Sequence, residues 1–430
     1  MRTRHFTIAV IIALVLINYI DRSAISYAVV PLTKEFSITP AQYGAISSAF
    51  SIGYMVFALI SGPLVDRFGP RRILIVGMLV WSVSTALTPL AGGVVGLMII
   101  RIILGIGEAP GFPAATRLAS RWLPQKERGI ALSLIGGVAV SGSLLIGGPI
   151  VTQLIAATTW RGMFWILAVI GLVWVVVAAF FLKDTPNDSK RTTAAERSYI
   201  EAGQLEEEHS GRQQKLDWRT LLTNRNLWIV GAGYFAWGFM FWGFLYWLPS
   251  YLSATYKLDI TSVGAFSVAP WAAGCIGAVL GGIVVDRVYR RTSSIRSRFV
   301  IMGIALLLSG ASLAPIAFAP PTLGSALTFI SLGVGFGFVT GGIWWVVAID
   351  CAPNQPATAA GFADACFGLS GIAAPLIMGF IVQGTGTYTS GFVLMSILAI
   401  VGALLLIFVT RKPVTEILAE EQALETTKVA

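Results

Sequence analysis

The sequence predicts an all-α membrane protein with twelve transmembrane helices arranged as two six-helix repeats. Of its 430 residues, 56% are hydrophobic and only 12% are charged, whereas soluble domains carry about 25% charged residues. Apolar segments long enough to span a bilayer, about 20 residues each, recur along the whole chain. A charged segment then separates two halves that carry related motifs at equivalent positions.

The apolar segments are continuous rather than alternating, which indicates helices and not the strands of a barrel. The first segment continues past Asp21 and Arg22 without a small-residue cleavage site, so we expect a retained helix and not a signal peptide. Pro, Gly and charged residues mark the segment ends. The twelve segments span roughly 6–30, 41–65, 73–91, 93–116, 129–157, 162–182, 226–252, 261–285, 298–319, 322–349, 356–384 and 388–410.

Residues 183–225 interrupt this pattern, because they hold 16 of the 51 charged residues of the chain. We expect a solvated linker loop here, with a helix around 194–208 and no chemistry of its own. The loop separates an N-terminal six-helix bundle, 1–182, from a C-terminal one, 226–410. Residues 411–430 are expected to form a polar cytoplasmic tail.

The two halves repeat a motif. Helix 2 ends in residues 62–67 (GPLVDR), and helix 8 ends in residues 281–287 (GGIVVDR), so Asp66 and Asp286 are 220 residues apart. Parallel repeats of this kind place a substrate site near the bilayer midplane, between the halves.

The distribution of basic residues predicts the topology. With the N-terminus inside, the short cytoplasmic segments hold sixteen Lys and Arg residues, and the external loops hold three, namely Lys34, Arg161 and Lys257. Basic residues accumulate in cytoplasmic loops. We therefore expect both termini in the cytoplasm.

Several functional classes are disfavoured. The net charge of +9 follows from the cytoplasmic loops, and no basic run is interleaved with aromatic residues as a nucleic-acid groove requires. The two histidines and three cysteines show no metal-ligand or disulfide spacing, and no phosphate-binding glycine loop indicates ATP use. We expect no cofactor and no enzymatic activity. A membrane sensor is an alternative, although 183–225 is short for a signalling domain.

Ionisable residues inside the predicted helices are the candidate functional groups, because charges in a bilayer core are costly and usually functional. They are Asp21 and Arg22 in helix 1, Arg101 and Glu108 in helix 4, and Asp364 in helix 11. At a rise of about 1.5 Å per residue, the first three are expected in one layer. Glu108 is expected roughly 10 Å deeper, with Asp364 near its level.

These charges predict proton-coupled movement of an organic anion. Two arginines and two acids, Asp21 and Glu108, cancel when all are ionised, and protonation of both acids leaves two positive charges. Arginine holds a carboxylate through two parallel hydrogen bonds and keeps its proton, whereas a carboxyl group in an apolar cavity can change charge near neutral pH. The alternative is a set of static ion pairs that join helices.

Aromatic side chains near the expected cavity suit a polyhydroxylated or aromatic acid. They are Tyr19, Tyr54, Tyr234, Trp242, Trp247, Trp344 and Trp345. Trp and Tyr also form belts at membrane interfaces, and Trp247 beside Pro249 fits a belt residue best.

Residues 62–72 (GPLVDRFGPRR) resemble the loop between helices 2 and 3 of the major facilitator superfamily. We expect a conformational latch here, in which Asp66 lies at a helix N-terminus and accepts hydrogen bonds from arginine. The alternative is an ordinary anchoring loop. The residues assigned to the latch in both halves are Asp66, Arg67, Arg71, Arg72, Asp286 and Arg287.

Further motifs resemble the anion:cation symporter family of that superfamily, which includes bacterial galactonate, glucarate and hexuronate carriers and animal vesicular glutamate and sialic acid carriers. These motifs are 18–22 (NYIDR) in helix 1 and 101–113 (RIILGIGEAPGFP) in helix 4, with weaker matches in the central loop and in helices 10 and 11. The resemblance spans nearly the whole chain.

The resemblance implies a monomer that imports an organic anion with protons across the bacterial inner membrane. A sugar acid (a hexonate, hexuronate or aldarate) is the first substrate that it suggests. Arg101, with Arg22 nearby, would engage the substrate carboxylate, and Asp21 and Glu108 would take the protons. The residues that would line the pocket are Tyr19, Tyr54 and Trp344.

Asp364 departs from the family pattern, because sugar-acid carriers usually have Asn at the corresponding position. A carboxylate there suits hydroxyl groups, an added proton site, or a substrate with a positive group. The sequence therefore leaves open a sugar acid and another carboxylate, whether aromatic, monocarboxylic or amine-bearing.

Overall fold

The computed structural model describes residues 2–208, 223–292, 294–318, 322–352 and 356–410, and every regular element in these ranges is helical. The predicted tail and residues 209–222 of the predicted loop lie outside them. In chain order the helices are α1 (Thr3–Tyr27), α2 (Val29–Phe36), α3 (Pro40–Phe68), α4 (Pro70–Leu87), α5 (Val94–Glu108), α6 (Gly111–Trp122), α7 (Gln125–Ser133), α8 (Ala139–Ala157), α9 (Trp160–Phe181), α10 (Ala194–Glu208), α11 (Arg225–Tyr256), α12 (Ile260–Thr292), α13 (Ile295–Leu313), α14 (Pro315–Phe318), α15 (Leu323–Phe338), α16 (Trp344–Cys351), α17 (Pro356–Thr385) and α18 (Thr389–Leu404).

The predicted fold class is confirmed. Within the described ranges, eleven helical stretches are long and apolar enough to cross a membrane, and α15 is a shorter apolar helix. Together they account for the twelve predicted segments. The helix expected around 194–208 in the central loop is present as α10.

Predicted helices 4 and 10 are among those that the structure interrupts, and the residues at their breaks explain why. Predicted helix 4 is divided at Ala109-Pro110 into α5 and α6, where proline lacks the N–H that would continue the helical hydrogen bonds. Predicted helix 10 is divided into α15 and α16 by a turn at 339–343 that contains Gly341 and Gly342. Glycine in a helix interior is unfavourable because it loses more backbone freedom than other residues.

The local sequence explains how α3 and α4 begin. Thr39 accepts a hydrogen bond from the Gln42 amide, and the Gln42 side chain accepts one from the Thr39 amide, which is a reciprocal N-terminal cap. Pro40 follows at the first helical position, where its missing N–H has no cost. Between α3 and α4, Gly69 has a φ of 87°, a conformation that glycine adopts without strain.

The structure groups its residues into two compact units, and unit 1 comprises Met1–Gln213, Trp242–Ala272 and Gly371–Gly391. Here α3 and α5 are in close backbone contact at Gly53 and Gly105. A Cβ atom at Gly105 would lie only 2.7 Å from the amide nitrogen of Tyr54. Because this glycine lies between Arg101 and Glu108 on α5, it lets the backbone that carries both side chains approach α3.

The start of α1 is anchored to α7 and α10 in the same unit. The buried Arg4 side chain donates two hydrogen bonds to Glu127, at 2.9 and 3.0 Å. Glu196 of α10 accepts from the amides of Thr3 and Arg4, at 3.3 and 3.1 Å. A carboxylate at a helix N-terminus satisfies free amides and complements the helix dipole.

Unit 2 comprises Gln214–Phe241, Ala273–Ser370 and Phe392–Ala430. Arg298 of α13 forms an ion pair with Asp350 of α16, and its guanidinium carbon lies 3.6 Å from the ring centre of Tyr289. Three of the unit boundaries fall near the middle of α11, α12 and α17, and another falls near the start of α18. The predicted domain boundaries around 183–225 stay a prediction.

Candidate functional site

A buried ion pair joins α1 and α5. Arg22 donates to Glu108 Oε2 from both Nη2, at 2.8 Å, and Nε, at 3.0 Å. Its side chain is 2% exposed, and that of Glu108 is fully buried. The second oxygen, Glu108 Oε1, is also buried and has no hydrogen-bond partner among the described residues. Glu108 therefore keeps one oxygen available for a proton.

This contact differs from the two layers that helix depth predicts. Arg22 was expected one layer above Glu108, yet the two side chains are in direct contact. The arginine side chain is long, and its guanidinium group reaches Glu108. The rise per residue gives an expected depth for Cα atoms, but it does not place the guanidinium group.

Aromatic rings surround the Arg22 guanidinium. Its central carbon lies 4.3 Å from the ring centre of Tyr19, 4.8 Å from Phe50, 5.2 Å from Tyr54 and 5.6 Å from Trp242. Aromatic faces attract cations, more strongly when the contact is desolvated. Tyr19, Tyr54 and Trp242, singled out from the sequence, thus lie beside the same arginine.

The second arginine of this region, Arg101, has a neutral partner. Its Nη2 donates to the Tyr246 hydroxyl at 2.9 Å, and both side chains are buried. Its Nε is buried and makes no hydrogen bond within the part of the chain that the structure describes. The guanidinium carbon also lies 5.0 Å from the ring centre of Phe50. Among the described residues, Arg101 forms no hydrogen bond or ion pair with a carboxylate.

Asp21 is a second buried acid near Glu108. Neither carboxyl oxygen accepts a hydrogen bond from the residues described, although the Trp81 indole is close enough to influence the group. Glu108 is also near enough for electrostatic repulsion. A carboxylate that is buried, unpaired and close to a second acid is costly in its ionised form.

The candidate residues of unit 2 form an aromatic stack. The Tyr234 ring lies 5.1 Å from Trp344 and 5.0 Å from Phe367, nearly parallel to both. Tyr234 and Trp344 are buried. Asp364 is exposed and accepts a hydrogen bond from the Trp345 indole at 2.6 Å. Asp364 is therefore an accessible acid with an indole as its neighbour.

The latch residues occupy the surface of both units. Asp66 pairs with Arg117 at 3.3 Å, with side chains 66% and 48% exposed, and exposed pairs contribute little to stability. The carboxylate at the start of α4 is Asp184, which accepts the Arg71 amide at 3.0 Å. The Arg71 side chain donates to the carbonyl of Ala179. The remaining latch residues, all exposed, are Arg67, Arg72, Asp286 and Arg287.

Three features of the structure were not predicted from the sequence, namely Tyr246, Phe50 and the helix cap formed by Asp184. Tyr246 lies one helical turn after Trp242, which was singled out, and residues four apart share a helix face. The spacing between Trp242 and Tyr246 could therefore have identified Tyr246 from the sequence. Phe50 carries no polar group that would distinguish it from ordinary apolar residues of a membrane helix.

Comparisons with known proteins agree with the fold. A family model described as Major Facilitator Superfamily matches residues 11–375. A probable sulfoacetate transporter of Cupriavidus necator is 35% identical, with 95% of this chain and 94% of the relative covered. A hexuronate transporter of Bacillus subtilis is 33% identical, with 91% of each chain covered. A crystal structure of a bacterial homologue of the human lysosomal transporter Spinster has a TM-score of 0.71 at 17% identity, with 95% of each chain covered.

Proposed function

The chain belongs to the Major Facilitator Superfamily, and from this premise we propose that it is a proton-coupled symporter that imports a small organic anion by alternating access. We place it in a bacterial inner membrane with both termini in the cytoplasm. The observation that carries the proposal is the buried Arg22–Glu108 pair. The acid Asp21 lies near Glu108 and accepts no hydrogen bond from the described residues.

A carboxylate is the group that both arginines suit, because the planar guanidinium fork matches its two oxygens. The relatives support this class, since their names specify sulfoacetate and hexuronate, and each of these anions carries a carboxylate. A sugar acid is our first candidate. A compact dianion such as sulfoacetate is the second, because the site offers two buried arginines, Arg22 and Arg101.

Asp364 favours a second substrate class for the same transport function. It is an exposed carboxylate that accepts a hydrogen bond from the Trp345 indole, and carboxylates form charge-assisted hydrogen bonds with ammonium groups. An amine-bearing carboxylate is therefore the alternative substrate class.

Proton coupling follows from the geometry of Glu108. When Glu108 is ionised, it occupies two donors of Arg22. Protonation, for which Oε1 is available, removes the charge that compensates Arg22. An uncompensated buried charge costs about 3–5 kcal/mol, and a substrate carboxylate removes that cost. Proton and anion therefore bind together, because either alone leaves an unbalanced charge in the site.

Asp21 is the second proton site in this scheme. No hydrogen bond from the described residues stabilises its ionised form, and Glu108 opposes that form by repulsion. Asp21 then carries a proton while Glu108 is ionised and bound to Arg22. Loss of both protons toward the cytoplasm restores two acids against two arginines and expels the anion.

Alternating access requires that contacts within unit 1 break during each cycle. The Tyr43 hydroxyl donates to the carbonyl of Tyr246 at 2.9 Å, and the Ser48 hydroxyl donates to that of Ile372 at 2.7 Å. These bonds attach the second halves of α11 and α17 to α3. We assign them to the external side, from the predicted topology, so that they close the external entrance and open to admit substrate.

Uptake by the purified protein in liposomes tests the proposal. Radiolabelled D-glucuronate and sulfoacetate are offered outside, with the external solution more acidic than the lumen. We expect accumulation of one of them, and we expect a protonophore to abolish it. Accumulation that ignores the pH gradient would reject proton coupling, and failure of every organic anion in a wider thermal-shift panel would reject the substrate class.

A further inference from the structure

The Tyr246 hydroxyl occupies a donor of Arg101 that the proposed function assigns to substrate. We propose that Tyr246 is a positioning residue whose hydroxyl competes with the substrate anion for Arg101, so that anion binding releases the second half of α11 from α5. This inference rests on the proposed function, because it requires Arg101 to bind the anion.

The donors of Arg101 fit this competition. A carboxylate or sulfonate binds two adjacent guanidinium donors at once. On the edge formed by Nε and Nη2, Tyr246 uses only Nη2, and Nε is buried without a hydrogen-bond partner in the described residues. The tyrosine thus holds half of an anion site. An anion that takes both donors forms two hydrogen bonds between oppositely charged groups, which are together stronger than the single bond to a neutral hydroxyl that it displaces.

The contacts of Tyr246 explain how the loss of its hydrogen bond to Arg101 affects α11. Its ring stacks on Trp242 with centres 5.9 Å apart and planes 12° apart, and Trp242 lies 5.6 Å from the Arg22 guanidinium carbon. One turn of α11 therefore contacts both arginines. When the hydrogen bond from Arg101 is lost, the backbone carbonyl of Tyr246 still accepts a hydrogen bond from the Tyr43 hydroxyl. Anion binding thus weakens the attachment of this turn to α5, while its hydrogen bond from α3 remains.

Tyr246→Phe tests the competition, because it removes the hydroxyl and keeps the ring. We expect sulfoacetate or D-glucuronate, whichever the wild type transports, to bind at least about tenfold more tightly, the value of one hydrogen bond to a charged group. Turnover should fall, because binding no longer breaks a contact of α11. A merely structural hydroxyl would instead leave affinity unchanged or weaken it.

Tyr256→Phe is the matched control. It removes a hydroxyl near the end of the same helix, where Tyr251 is its hydrogen-bond partner, and we expect wild-type affinity and turnover. Equal or weaker binding by Tyr246→Phe would overturn the proposal.

Hydrogen–deuterium exchange on the wild type supplies a second test that does not depend on a variant folding. Saturating anion should raise exchange in peptides that cover 242–256, and unchanged or lower exchange there would overturn the proposal. Failure of the proposed function can be distinguished from failure of the inference about Tyr246. If the wild type binds no anion, the proposed function fails. If it binds anion and Arg101→Lys abolishes binding, but Tyr246→Phe does not tighten it, only this inference fails.

Discussion

Glu108→Gln separates anion binding from proton binding. The substitution keeps the shape of the side chain and an acceptor for Arg22 but removes the charge that compensates it. Breaking one side of a buried ion pair costs about 3–5 kcal/mol. If a bound carboxylate recovers even about 1.4 kcal/mol of this, affinity rises tenfold. We therefore expect the variant to bind anion at least about tenfold more tightly than the wild type at neutral pH.

The pH dependence of anion affinity provides a second, independent prediction. Anion binding to the wild type takes up a proton at Glu108, so its affinity should rise as pH falls. The variant cannot take up this proton, and its affinity should change less with pH. Accumulation driven by a pH gradient should be lost, while exchange of labelled for unlabelled anion should persist. Tryptophan fluorescence is a suitable binding assay, because Trp242 lies 5.6 Å from the Arg22 guanidinium carbon.

Glu127→Gln is the matched control, because Glu127 also pairs with a buried arginine, Arg4, but lies outside the candidate site. We expect it to lower the melting temperature and to leave the pH dependence of binding unchanged. The reasoning is refuted if Glu108→Gln retains gradient-driven accumulation, or if its anion affinity follows pH as the wild type does.

Three further predictions concern other parts of the structure. Asp21→Asn should melt close to the wild type, because no hydrogen bond from the described residues to Asp21 is lost, but gradient-driven uptake should stop. Gly105→Ala should reduce the yield of folded protein in gel filtration, because the added methyl lies 2.7 Å from backbone, whereas Gly142→Ala meets no described atom within 4 Å. A hydrogen bond from Arg161 holds the pKa of Glu35 below its usual range. The stability from that pair is present above the ordinary pKa of about 4.3 and is lost as pH falls through the lower folded-state value, so the melting difference from Glu35→Gln should shrink in acid.

Each of these predictions has a contradicting result. Gradient-driven uptake by Asp21→Asn would remove Asp21 from the proton pathway. Equal yields of the two glycine variants would show that the contact between α3 and α5 relaxes without cost. A melting difference for Glu35→Gln that persists in strong acid would show that the pair does not act through charge.

The sequence was sufficient for the fold because membrane helices have strong signals. Continuous apolar segments predicted the spanning helices, and the charge pattern of the central loop predicted α10 with its bounds. The interruption between α15 and α16 was not predicted, because glycine is common in transmembrane helices and Gly341-Gly342 gave no distinct signal. Pro110 was visible at the corresponding break between α5 and α6, but proline often lies within such helices.

The sequence identified the ionisable residues of the site but not their partners. Asp21, Arg22, Arg101 and Glu108 were recognisable because charges are rare in apolar segments. That Arg22 contacts Glu108 depends on side-chain reach, which spacing along a helix does not give. That Arg101 contacts Tyr246 depends on tertiary packing across 145 residues of sequence.

The most direct test of the central claim is proton movement driven by substrate alone. Liposomes that contain the protein and an internal pH dye start at equal pH on both sides, and D-glucuronate or sulfoacetate is then added outside. We expect the lumen to acidify with the wild type, as anion and protons enter together, and we expect Glu108→Gln to take up anion without acidification. Anion entry through the wild type with no change in luminal pH would contradict the central claim.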